Sequence, residues 1–349
     1  MRTHEGDSMN TRLEPTWSNP HRRHLLLLAG LGAVGLGWLP GMARAQGWPS
    51  KPIRLIAAQA PGSSNDATAR ALAEYLTMSM GGAPVVVENK PGAIGMIAAE
   101  YVARSAADGH TLLITLHSQL AQAPVLLKKV PLDTSIDLVP IAAFSTGVAP
   151  MVVRKDLPVK NLKELIALSR TRPISVGNYG IGSGWHLMIS ALAQQTGGKF
   201  DIINYKGTGP MVLDLMAGHI DMGAGSMAGM GGAIAQGAAR PILSISGTRS
   251  DTLLPGVPTW ADEGFVGPAF QYLIECNMVL APKGTPKAIV DRVAGLAHAS
   301  FFKSDRIKTV MAQLGVTEPP WTGDELGKLI KRTWPQYQAM TRELGLTME

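Results

Sequence analysis

The amino-acid sequence predicts an α/β fold with largely parallel sheets and helices on both faces. Short apolar runs, of the length and composition of strands buried on both sides, recur along the chain and alternate with helix-period stretches. Several of these runs end in a turn of small residues that leads directly into the next helix, the arrangement at the ligand-binding edge of open α/β sheets.

Taken in order, the strand-like runs are "PIRLIAA" (52–58), "PVVVEN" (84–89), "TLLITL" (111–116), "ISVGNYG" (174–180), "FDIINY" (200–205), "HIDMGA" (219–224), "PILSIS" (241–246) and "NMVLAP" (277–282). Helices announce themselves between them. Asn161 with Glu164, and Thr322 with Glu325, have capping-box spacing, and Ser304 precedes a segment that stops at Gly315. In "AQAPGSSNDATARALAEYL" (58–76) a strand end breaks into Pro-Gly-Ser-Ser-Asn-Asp and resumes as Ala-rich helix, with Ser64 or Asn65 as the expected N-cap.

That turn has two echoes. In "NYKGTGPMVLDLMAGHID" (204–221) a strand ends at Tyr205, a Gly207-Thr208-Gly209 turn follows, and Pro210 suits the first turn of a helix. In "GNYGIGSGWHLM" (177–188) Ser183 is the expected N-cap. Small residues let backbone approach a ligand, and the free N–H groups of a helix's first turn favour negative charge. Three such turns at strand ends point to a small anion held between them.

Composition narrows the function. Of 349 residues, 46% are hydrophobic and 5% aromatic, enough for a large core without covalent staples. The net charge of +6 drops to +4 when residues 1–45 are set aside, and the excess is dispersed. No basic run or aromatic-interleaved stripe suits nucleic acid. At the N-terminus, paired Arg22 and Arg23, an apolar stretch from Leu25 to Leu39, Pro40 and Ala43-Arg44-Ala45 read as a cleaved export signal. The Arg pair fits either the twin-arginine or the general route. The mature chain is expected to begin near Gln46. Cys276 is the one cysteine, so no intramolecular disulfide forms, and its apolar setting reads as a buried thiol.

Enzyme readings fare worse. "GNYGIGSG" resembles a degenerate dinucleotide loop, but the acid that would hold a ribose could only be Asp201, which begins the next strand. "AGSMA" around Ser226 has Ala at both glycine positions of a nucleophile elbow. Ser183 and His186, three apart on one helix, are expected to cap and pack. His110, His117, His186, His219 and His298 are scattered, so no metal site is signalled, and no cofactor is expected. Arg70 and Glu88 are expected to brace the first helix against the second strand.

Longer segments carry a resemblance. "WPSKPIRLIAAQAPGSSNDATARALA", "VVVENKPGAIGMIAAEYVARSAADGHTLL", "GIGSGWHL", "INYKGTGPMVLDLMAGHID", "GTRSDTLLPGVPTWADEG" and "APKGTPKAIVDRV" resemble, in order, the extracytoplasmic solute-binding proteins of the tripartite tricarboxylate transporter family, the Bug receptors. The resemblance implies a type II-like periplasmic binding protein with two α/β lobes joined by crossing strands. It places one lobe at 46–148 plus 272–349 and the other at 149–271, with a ligand cleft between. It further implies a non-enzymatic, monomeric periplasmic protein that captures a small carboxylate or related polar metabolite and delivers it to the permease subunits of a membrane transporter. An exported hydrolase or isomerase, and a receptor feeding a sensor kinase, are the alternatives. By similarity, the first-lobe contacts are Gly62, Ser63, Ser64 and Asp66, and the second-lobe contacts are Ser183, Tyr205 and Gly207. The loop "LHSQLA" should offer His117 and Ser118 to the cleft, and Asp221, expected at a strand end on the same edge, completes the set. Two departures stand out. Pro61-Gly62-Ser63 replaces the family's usual Pro-Gly-Gly, and "NKPGAIG" has Lys90 and Ile94 where Arg and Gly are usual.

Overall fold

The computed structural model describes residues 47–247, 249–271 and 275–347. The expected export signal and the Gln46 start lie outside the described residues. Trp48–Glu349 form one compact unit.

The chain lays down β1 (Ile53–Ala57), α1 (Ser64–Ser79), β2 (Val85–Asn89), α2 (Met96–Ala103), β3 (Thr111–Leu116), α3 (His117–Leu126) and β4 (Leu138–Ser145). Next come β5 (Pro150–Arg154), α4 (Leu162–Thr171), β6 (Ile174–Asn178), α5 (Gly184–Thr196), β7 (Phe200–Asn204), α6 (Thr208–Met216), β8 (Met222–Ala224), α7 (Met227–Ala235) and β9 (Ala239–Ser244). It closes with α8 (Pro268–Gln271), β10 (Cys276–Pro282), α9 (Lys287–Lys303), α10 (Asp305–Leu314), β11 (Trp321–Thr322) and α11 (Gly323–Glu343).

Two sheets result among the described residues. The first has the order β11-β4-β10-β3-β1-β2, the second β7-β6-β8-β5-β9. The α/β class holds, but the sheets are mixed rather than largely parallel. β1 pairs in parallel with β2 and β3, and β6 with β7 and β8. β10 is antiparallel to both β3 and β4, and β5 to both β8 and β9. The reversals arise where the chain passes between sheets: it leaves the first at β4, enters the second at β5 and returns at β10. A segment that arrives from the other sheet enters at the edge where its neighbours end, so it runs against them.

Side-chain alternation explains the layering. On β1, Ile53, Leu55 and Ala57 pack with Leu72 and Leu76 of α1 and with Val293, Ile307 and Leu314 of α9 and α10. Ile56, on the other face, joins Met96, Val102 and Leu120 of α2 and α3. Leu55 pairs with Val87 and Leu112 and is fully buried. Burying a side chain of this size is worth ~1.5–3 kcal/mol, so the sheet core outweighs any local propensity.

The helix starts follow the expected chemistry with local adjustments. Asn161 accepts from the Glu164 N–H at 2.9 Å, and Glu164 accepts from the Lys160 N–H at 2.7 Å. Ser304 caps α10 through the Ile307 N–H, and Gly315 ends that helix at φ +69°. Thr322 precedes α11 without a side-chain cap bond. The N-cap of α1 is Ser63 rather than Ser64 or Asn65, because the strand-to-helix turn is one residue shorter than the polar run suggests.

Asp221 ties the second sheet at its far end. It precedes β8, pairs with Arg172 at 2.7 Å and Arg154 at 3.1 Å, and accepts from the Ser175 N–H. Burial opposes its charge, but Arg172, the Ser175 N–H and Arg154 outweigh burial and hold it down at about 2. A depressed carboxyl pKa stabilises the fold above its ordinary value of 3.8 and loses that contribution as pH falls toward 2. Acid titration followed by circular dichroism should therefore show a stability loss between about 4 and 2, and Asp221→Asn should be less stable at neutral pH with a shallower loss across that range.

Candidate functional site

The carboxyl ends of the parallel strands in both sheets face one cavity of about 150 Å³. The geometry is best built from the turns that close it.

After β1, residues Gln59–Ser63 make the turn that Gly62 permits at φ +82°. Asp66 secures it from beneath: it accepts from the Gly62 N–H at 3.2 Å and the Asn89 side chain at 2.9 Å, and pairs with Arg70 at 2.9 Å. Arg70 also reaches Asn89 on β2, the bracing expected of it, whereas Glu88 pairs with Arg54 of β1. After β7, Gly207 turns at φ +133° into α6. The two turns lie against each other. The Ala60 N–H donates to the Lys206 carbonyl at 2.9 Å. A Cβ on Gly207 would sit 3.2 Å from the Ala60 nitrogen, and one on Gly209 2.8 Å from the Pro61 oxygen. The turn after β6 rests on α3 instead, where Gln119 and Gln122 donate to the Ile181 and Gly182 carbonyls at 3.2 and 2.9 Å.

Glu275, just before β10, lines the cavity. Its Oε2 accepts from the Ser118 hydroxyl at 2.8 Å and from the Gly184 N–H, the first of α5, at 3.0 Å. Its Oε1 lies 3.3 Å from Nδ1 of the fully buried His117. The same Nδ1 is 3.3 Å from the Cys276 N–H, and the two contacts demand opposite protonation at that nitrogen. The Cys276 side chain and the Glu275 carboxylate decide for the imidazolium. Burial works against the charged ring, but Cys276 and Glu275 outweigh it and push His117 up to about 10. Burial and the Glu275 charge also push the Tyr179 and Tyr337 phenols up, so both stay protonated.

The expected site residues therefore separate into groups. Ser64 lines the cavity and Gly207 sits beside Thr208, which also lines it. Gly62, Ser63 and Asp66 shape the first turn. Ser183 caps α5 through the His186 N–H and donates to Asn178 within the buried turn. His186, uncharged because burial pulls it down to about 4, packs as expected. His117 and Ser118 stand behind Glu275. Tyr205 lines a second cavity of about 220 Å³, and its hydroxyl is committed to Asp214 at 2.7 Å. Asp221 requires correction: β8 begins after it, so it lies at the opposite end of the strand from the cavity, locked to two arginines.

Sequence reasoning passed over Glu275, Tyr179, Thr208, Ser226 and Tyr337, all of which line the cavity. Glu275 had a signal, an acid alone within the apolar "IECNMVLAP". Tyr337 had none, since on the buried face of α11 it reads as core.

The second cavity touches the first at Gln59 and Tyr179 and is bounded by Gly92–Gly95. There Ala93 and Ile94 adopt φ +45° and +50°. For Ile94 that conformation costs ~1–2 kcal/mol. Burial of its side chain, which is 5% exposed, offsets the cost.

Comparison with known proteins places this geometry. The pattern of the tripartite tricarboxylate transporter family receptor matches residues 68–346. The chain belongs to that family. BugT of Bordetella pertussis is 33% identical to the receptor over 328 residues, which span 93% of this chain and 98% of BugT. The solved periplasmic binding protein BugD superposes with TM-score 0.78 at 29% identity, covering 86% of this chain and all of BugD. An R. palustris protein solved with adipate superposes equally well, TM-score 0.78 at 26% identity, over 86% of this chain and all of that one. The receptor is thus a periplasmic solute-binding protein of the Bug type, its two mixed sheets arranged as in these neighbours.

The His117–Glu275 pair makes a prediction about alkaline stability. A raised histidine pKa contributes fully below the ordinary 6.5 and is lost progressively as pH rises through about 10. Thermal melts of the wild type should fall across that interval, and Glu275→Gln should flatten the fall. An equal fall in both proteins would place the His117 charge elsewhere.

Proposed function

We propose that this receptor captures a small carboxylate in the cavity between its two sheets and delivers it to the membrane permease of a tripartite tricarboxylate transporter. One observation carries the reading: helix N-termini from both sheets, at Ser64, Thr208 and Ser226, converge on a single cavity. The adipate in the R. palustris relative supports a carboxylate as ligand class. The N-terminal leader supports export to the periplasm with cleavage near Gln46, and intact-mass analysis of the exported protein tests it.

The halves built on the two sheets, roughly 46–148 plus 272–349 and 149–271, act as lobes hinged at the crossings. Contact between the turns after β1 and β7 closes them over the ligand. Binding without turnover should stabilise the protein by roughly 2.7 kcal/mol at about 100 times the dissociation constant, a melting shift of about 2–4 °C. A panel of small carboxylates in melting and calorimetric titrations checks this, and consumption of any member without a shift would favour an enzyme.

Closure has its own test. Gly209→Ala adds a methyl 2.8 Å from the Pro61 oxygen at a position without positive φ, so it disturbs the contact between turns without straining the backbone. The variant should fold normally, bind the cognate carboxylate at least about tenfold more weakly and stay expanded with ligand in small-angle scattering. Wild-type affinity and compaction would remove the turn contact from the closure mechanism.

A further inference from the structure

The cavity contains a fixed negative charge of the protein's own. Among the described residues lining it, Glu275 is the one charged side chain, and no Lys, Arg or His lines it. The carboxylate already fills the N-terminus of α5, accepting from the Gly184 N–H and the Ser118 hydroxyl. His117 stands behind it, its Nδ1 3.3 Å from the carboxylate and not part of the lining, and toward a ligand a carboxylate can only accept hydrogen bonds. A ligand carboxylate placed there would meet like charge with no lining cation to offset it.

Other parts of the lining are different. The N-termini of α1, α6 and α7 reach it at Ser64, Thr208 and Ser226. Ser226 is 7% exposed, and its buried hydroxyl makes no hydrogen bond within the described residues. A buried hydroxyl without a partner is a site for a ligand acceptor. The lining therefore offers a charged acceptor at Glu275 and donors at the starts of α1, α6 and α7.

We propose that Glu275 is a specificity-determining residue, which selects a ligand that presents a nitrogen N–H donor, ammonium or amide, to Glu275 and its carboxylate to the Ser64, Thr208 and Ser226 wall. The proposal rests on the reading of this cavity as a carboxylate-receptor site and names the second functional group of its ligand. At about 150 Å³, a volume that admits a benzene-sized molecule, the ligand is small.

Matched probes test it: succinate, succinamate and γ-aminobutyrate, then the same trio built on glutarate and on adipate, each titrated calorimetrically into wild type and Glu275→Gln. In wild type, the half-amide or the amino acid of a trio should bind at least about tenfold tighter than its diacid. Glu275→Gln keeps the side chain's size and removes its charge. It should narrow that ratio to about threefold or less, chiefly by improving the diacid. Preference for the ammonium probe or for the amide probe supports the proposal equally, and assigns the recognition to charge pairing or to hydrogen bonding. Should the variant not fold by circular dichroism, the wild-type ranking decides alone. A diacid that binds wild type as tightly as its partners overturns the proposal and leaves the carboxylate-receptor reading standing. Equal weakening of every probe by Glu275→Gln also overturns it, since that marks a structural role. Binding of no carboxylate at all overturns both.

Discussion

The hydrogen bond from the Ala60 N–H to the Lys206 carbonyl sets the terms for the rest of the molecule. It joins backbone to backbone across the two sheets at 2.9 Å, so the residues around it must be small. Gly62, Gly207 and Gly209 meet that demand, Gly209 with so little room that a methyl group would sit 2.8 Å from the Pro61 oxygen. Everything that the cavity requires follows from this approach. The helices behind the two turns bring their N-termini, at Ser64 and Thr208, to one space, and side chains from the end of β4, from just after β9 and from the return toward β10 complete its lining. The turn "APGSSND" thus holds another turn before it holds a ligand.

A second constraint is electrostatic. The return to the first sheet carries Glu275 into the centre, where a bare charge would be costly. The structure meets that cost with a hydroxyl and a buried imidazolium from α3 and with the N-terminus of α5. Because Ser118 belongs to the first sheet's helices and Gly184 to the second's, the carboxylate also links the two halves. It therefore joins the halves at the cavity, as the backbone contact from Ala60 to Lys206 joins them at the turns.

Much of the fold was legible because it rests on local patterns. Eight strands lie close to their apolar runs, and Asn161, Ser304 and Gly315 punctuate helices as their chemistry requires. The misses are non-local. β4 and β5 flank the crossing at Thr146-Gly147, and their apolar runs were not separated from it as strands. Their antiparallel pairing depends on where the chain has come from, which a window of sequence does not contain. At the site, the Gly-rich turns were visible as backbone features, yet which side chains they aim inward was not. Asp221 illustrates the difference. Its position near a short strand suggested the cavity edge, but the strand begins one residue later, and Arg154 and Arg172 claim the carboxylate. Glu275 went unremarked because its partners are 157 and 91 residues away in the chain.

The two departures from the family pattern gain a physical meaning in this setting. Ser63 spends its hydroxyl on the Asp66 N–H as the cap of α1, so it secures the helix whose next residue, Ser64, lines the cavity. Ile94 does the opposite of what its conformation favours. At φ +50° a glycine would be free of the ~1–2 kcal/mol that a β-branched residue bears. The chain keeps the isoleucine because its buried side chain joins the apolar cluster under α2 and α3, a gain of ~1.5–3 kcal/mol that exceeds the strain. The same side chain occupies part of the wall of the second cavity, beside Gln119 and Tyr179. A residue chosen for packing thereby narrows the space next to the binding cavity.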